Sequence, residues 1–101
     1  MAEHAELTTT ADVMSVTGVL GFESVVGLEA RGVQWLRDDA AKACTIDLGA
    51  VSYSTSAGLV LLLAWLRAAA QCGKTLRIRN MPVGMAALAR VGGLADLLPQ
   101  H

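Results

Sequence analysis

Aromatic residues are scarce in this chain, with two tryptophans, one tyrosine and one phenylalanine among 101 residues. A core built with so few must rest on Leu, Val and Ala, and no stretch interleaves aromatics with cations as single-stranded nucleic-acid binders do. Charge is also sparse, at 17% of residues with a formal net charge of −1, so the basic footprint of a DNA or RNA partner is absent. The only histidines, His4 and His101, stand near opposite ends, which leaves the interior without an imidazole base. Cys44 and Cys72 are far apart and form neither a CxxC pair nor Cys/His metal spacing. They read as two small hydrophobes in a reducing compartment. The chain has no G-x-S-x-G elbow and no Gly-rich phosphate loop of the P-loop or dinucleotide type. We therefore expect no catalytic residue, no metal and no cofactor.

Long apolar runs are missing as well. The longest, Ala57 to Leu66, is about half the ~20 residues a spanning helix needs. The opening "MAEHAELTTTAD" has neither the basic nor the apolar region of a signal peptide. A cytoplasmic protein is expected, meeting a membrane only through a partner. What the chain does have is apolar residues, 53% of the total against ~45–50% in typical globular chains. Its length suits one domain, residues 1–101, of α/β type. The apolar excess hints at a surface that a protein partner covers.

Leu7 to Thr10, a turn at Ala11-Asp12, and Asp12 to Leu20 read as a hairpin, with Met14, Val16, Gly18 and Leu20 on one face. Ser24 is an N-cap residue type ahead of a helix from Val25 to Asp38, although Gly27 and Gly32 each weaken it by about 1 kcal/mol relative to Ala. "CTIDL", Cys44 to Leu48, alternates as a strand and is ended by Gly49 and Ala50. A second helix runs from Ala57 to Cys72, with Gly73 placed as a left-handed cap. Thr75 to Arg79 is a strand, and Asn80-Met81-Pro82 turns into a third helix ending at Val91. Leu94 to Leu98 adds one helical turn before Pro99. The order β-β-α-β-α-β-α implies a four-stranded mixed sheet, with an antiparallel hairpin followed by parallel crossovers and helices packed against it.

At about 100° per residue, Leu59, Leu62, Leu63, Leu66 and Ala70 form the second helix's core stripe. Val60, Ala64, Arg67 and Gln71 make its wet flank. Leu61, Trp65, Ala68 and Cys72 form a third stripe nearly opposite the core. Two explanations fit this second apolar face: a neighbouring helix covers it, for which the third helix is available, or it is a docking surface centred on Trp65. The apolar excess favours docking, and an exposed Trp65 stripe would equally drive a weak homodimer.

Directly before this helix stand Ser52, Ser54, Thr55 and Ser56. One cap, Thr55 or Ser56, satisfies the helix start, and Ser52 and Ser54 read as solvated loop. Ser56 is followed by Ala57-Gly58, small residues that would leave the first turn open to another molecule. A phosphate on Ser56 would meet the positive helix end and place about −1.5 to −2 charges at the edge of a docking surface.

"CTIDLGAVSYSTSAGLVLLLAWLRAAAQCGKTLRI" resembles the central segment of STAS domains, the sulfate-transporter and anti-sigma-factor-antagonist module. The strand-ending Asp47-Leu48 and the helix-opening Thr55-Ser56-Ala57-Gly58-Leu59 carry the likeness. Within the family the chain is most similar to the MlaB-like subunits of phospholipid-transport ABC complexes, through the Leu-rich helix with its Gly-Lys turn and the ending "MAALARVGGLADLLPQH". The extent of the chain supports that branch, since anti-sigma-factor antagonists usually continue with a further strand and helix. The resemblance implies a non-enzymatic subunit that binds the transporter's cytoplasmic ATPase. The alternative it implies is an anti-sigma-factor antagonist phosphorylated on Ser56 by a partner kinase. The family's functional hydroxyl falls on Ser56, with Ser54, Thr55 and Gly58 beside it, and Thr55 stands where the family carries an acidic residue.

Overall fold

In the computed structural model, which describes residues 4–94 and 97–98, the elements follow the expected order. They are β1 (Ala5–Thr9), β2 (Val13–Leu20), α1 (Ser24–Asp38), β3 (Ala43–Ser54), α2 (Ser56–Gln71), β4 (Thr75–Arg79) and α3 (Val83–Val91). One sheet has strand order β1-β2-β3-β4, antiparallel between β1 and β2 and parallel across the other two pairs. Burial is one-sided. Leu7, Met14, Val16, Ile46 and Ile78 are buried while Glu6, Thr8, Ser15, Thr45 and Arg77 between them are exposed or half-buried, as a sheet with helices on a single face requires. The expected helical turn after α3 falls partly on residues outside those described. Within them, Leu97 N–H donates to Leu94 O at 2.9 Å and Leu98 is buried.

Four local readings need correction. Ser24 is the first residue of α1 rather than its cap; its hydroxyl donates to Val19 O at 2.8 Å and accepts from Gly21 N–H at 2.9 Å, pinning the β2–α1 loop. Cys72 is exposed while Cys44 is buried, so only Cys44 behaves as a hidden hydrophobe, and burial pushes its thiol above the ordinary range. In α2, Leu59 and Leu62 are buried and Leu63 and Leu66 half-buried, but Ala70 is exposed. Finally, Gly49 and Ala50 do not end β3. The β2–β3 register slips between Ser15 and Thr17 and again between Gly18 and Val19. Each bulge takes up an extra residue of β3, so the buried positions become Leu48, Val51 and Ser54. Strict alternation hides that pattern.

The first bulge is held by Asp47, whose carboxylate accepts Gly49 N–H at 2.9 Å, Asn80 Nδ2 at 3.1 Å and Arg79 Nη2 at 3.0 Å. The Gly49 N–H, then Asn80, then Arg79 hold its pKa below the ordinary value. A depressed carboxylate contributes stability at neutral pH that is lost as pH falls through the lowered pKa, beginning below about pH 4. Stability of Asp47→Asn should thus fall less steeply on acidification than that of the wild type, which urea unfolding between pH 2 and 7 will measure.

The stripe Leu61, Trp65 and Ala68 is not a docking surface. Trp65 is 0% exposed, Leu61 1% and Ala68 8%. The helix packed against Trp65 is α1. Trp65 Nε1–H donates to Glu29 O at 3.1 Å, and Gly32 lies against the indole, where an added Cβ would overlap the ring. Gly32, costly for the helix in isolation, is what lets α1 approach α2 closely. The homodimer argued from an exposed Trp65 loses its basis.

Candidate functional site

The carboxyl ends of β2 and β3 and the amino end of α2 meet at the hydroxyl cluster. Thr55, with φ −88° and ψ −176°, is the N-cap of α2. Its Oγ1 accepts Ala57 N–H at 3.2 Å, and its N–H donates to Leu20 O at 2.9 Å. One residue thus caps the helix and ties it to the end of β2. Ser54 is not solvated loop: it is 9% exposed, and its hydroxyl donates to Thr55 O at 2.9 Å. Ser52 sits in β3 and donates to Gly18 O at 3.2 Å.

Gly58 is not an opening for another molecule. It is buried, and a Cβ there would overlap Ser54 Oγ and lie 2.7 Å from Met85 Cε and 3.3 Å from Leu20 Cβ. Its smallness serves the chain's own packing between β2, β3 and α3.

Ser56 differs from its neighbours. It is the first residue of α2 and exposed. Because Thr55 does the capping, the Ser56 hydroxyl is not committed to the helix. The first turn of α2 contains no acidic residue, so the positive helix end is uncompensated and would favour an anion or acceptor there.

Large exposed apolar side chains share this end of the molecule: Phe22 is 70% exposed, Val26 73%, Tyr53 63% and Val60 62%. Phe22 lies two residues past the Leu20 carbonyl that Thr55 grips, in the loop pinned by Ser24. Val60 is one helical turn from Ser56, and Tyr53, which pairs with Val19, directly precedes Ser54. Tyr53, in register with Val19 and alternating with the buried Ser54, lies on the helix-free face of the sheet. Phe22, Val26 and Val60, and not Trp65, are the exposed apolar residues on the elements that meet at Ser56. A lone Phe between Gly21 and Glu23 was their one visible sign in the sequence.

An exposed hydroxyl at a helix mouth, framed by apolar residues on a helix-backed mixed sheet, suits a module that is recognised by a partner. The chain belongs to the STAS-domain family; the family described as "Mlab, STAS domain" matches residues 4–99. Among solved structures it is similar to an anti-sigma factor antagonist from Mycobacterium paratuberculosis, at 20% identity and TM-score 0.76, covering 99% of this chain and 86% of that one. It is similar to the anti-sigma factor antagonist SpoIIAA in its unphosphorylated form, at 17% identity and TM-score 0.71, covering 99% and 88%. The phosphorylated form of SpoIIAA, a Bacillus cell fate determinant, matches at 17% identity and TM-score 0.64, covering 99% and 91%. These identities establish the fold. With 86% and 88% of the antagonist chains covered, extent does not separate the two branches as expected from the sequence. The comparison with curated proteins returned no match. No helix among the described residues is long and apolar enough to cross a membrane.

Proposed function

We propose that this STAS domain is a non-enzymatic, cytoplasmic accessory subunit that docks on the ATPase of an Mla-type phospholipid-transport ABC complex, supporting outer-membrane lipid asymmetry. The observation that carries the reading is the exposed Ser56 hydroxyl, freed from capping by Thr55. The family description supports the choice of partner. In this reading Ser56 touches the ATPase, Thr55 and Ser54 fix its position, and Gly58 lets the helix start pack where it does. Phe22 and Val60 supply apolar contact.

Co-purification with the ATPase of the same cell is the test. Ser56→Glu is expected to melt like the wild type, within the ±0.5 kcal/mol or so usual for surface changes. Its affinity for the ATPase should fall at least about tenfold, or about 1.4 kcal/mol. Undiminished binding by Ser56→Glu would show the docking site to be elsewhere.

A second reading is a signalling switch, an anti-sigma-factor antagonist phosphorylated on Ser56. It is favoured by the solved antagonists that share the fold and by the uncompensated helix end. Phosphate transfer onto wild-type chain but not Ser56→Ala, by a kinase-type anti-sigma factor, would select it over the transporter role.

A further inference from the structure

The two edges of the sheet are treated differently. At β1, a side chain of α1 occupies an outward carbonyl, Arg31 Nη2 donating to Leu7 O at 3.1 Å, and just past the strand Trp35 Nε1 donates to Thr10 O at 2.8 Å. At the other edge β4 has β3 as its single strand neighbour. Thr75 N–H donates to Lys42 O at 2.8 Å, which turns Thr75, and by alternation Arg77 and Arg79, toward β3. The N–H and C=O groups of Leu76 and Ile78 then face away from the sheet, with no strand to receive them among the described residues.

Charge on this edge has one sign. Arg77 and Arg79 are exposed on the same face of β4. Across the strand, Arg79 is paired in register with Asp47 and bonded to its carboxylate at 3.0 Å. Arg77 is paired with Thr45 and has no ion-pair partner among the described residues. Side chains paired in register share a face, so a strand added outside β4 would set its own alternate residues beside Arg77 and Arg79. Carboxylates there would meet Arg77 as Asp47 meets Arg79. A second copy of this chain pairing antiparallel through β4 would instead bring arginine against arginine, which is destabilising.

We infer that the free edge of β4 accepts an extended segment of a partner protein, with carboxylates at alternate positions, as a fifth strand. Backbone bonds to Leu76 and Ile78 supply the pairing, and Arg77 supplies the preference for acidic sequence. The inference does not depend on what engages Ser56.

The test uses the full chain and short synthetic peptides of alternating valine and glutamate, or valine and lysine. The acidic peptide is expected to bind at least about tenfold tighter. On binding it should slow amide hydrogen exchange at Leu76 and Ile78, and methylation of its alternate amides should abolish binding. Arg77→Glu, a surface change that leaves the fold intact, should reverse the preference toward the lysine peptide. The proposal is overturned by any of three results: no binding of the acidic peptide, binding without protection of those two amides, or an Arg77→Glu chain with unchanged preference. In any of them Arg77 and Arg79 serve to keep the edge unpaired.

Discussion

Trp65→Ala is expected to cost about 3–5 kcal/mol of stability, the range for removing a buried aromatic, from a domain whose total is on the order of 5–15 kcal/mol. At about 4–8 °C per kcal/mol for a domain of this size, the melting temperature should drop by at least about 12 °C. Three losses combine. The indole is 0% exposed and among the largest fully buried side chains. Its removal opens a cavity between α1 and α2 that Gly32, having no side chain, cannot fill. The Glu29 carbonyl also loses the N–H that reaches it at 3.1 Å. Trp65→Phe separates the terms, since it keeps most of the packing and removes the hydrogen bond, at about 1–2 kcal/mol. Thermal and urea unfolding of the isolated chain measure both. A Trp65 at a docking surface would give the opposite pattern, with stability within about ±0.5 kcal/mol of wild type and the loss confined to partner binding.

That contrast shows what could be read before the structure. The order of elements followed from alternation in "CTIDL" and "TLRIR", from the apolar run of α2 and from Gly73, whose φ of +70° fits the expected left-handed cap. Ser56 followed from its place at the head of that run. The covering of Trp65 was illegible because it depends on α1 crossing α2 at Gly32. In the sequence, Gly32 is a helix weakener whose partner stands more than thirty residues away. The position of Ser54 was illegible for a different reason. Two bulges shift the inward residues of β3 to a spacing of three, and a bulge has no periodic signature. The exposed hydroxyl of Ser56 at the start of α2 was therefore legible from local chemistry, while the apolar stripe read beside it was placed on a face of α2 that is buried. Local capping chemistry is written in adjacent residues; which apolar face stays open is decided by how helices cross.

Gly58→Leu is expected to destabilise the chain by more than about 3 kcal/mol, at or beyond the usual range for overpacking. The first added carbon already overlaps Ser54 Oγ and crowds Met85 Cε at 2.7 Å and Leu20 Cβ at 3.3 Å. The backbone does not require glycine, because Gly58 is absent from the positive-φ positions, so the cost is steric. The alanine variant makes the argument sharp through its sign. In an open first turn, Gly58→Ala would stabilise the helix by up to about 1 kcal/mol through propensity alone, and any harm would fall on partner binding. In the packing observed, Met85 can swing its terminal methyl aside, but Ser54 Oγ is held by its bond to Thr55 O at 2.9 Å. Gly58→Ala should thus destabilise by about 1–2 kcal/mol net. Because the clash is with one oxygen, Ser54→Ala combined with Gly58→Ala should recover most of that loss, a coupling a double-mutant cycle in urea reads directly. A stabilised Gly58→Ala chain, or strictly additive effects in the cycle, would return Gly58 to the surface and to the partner.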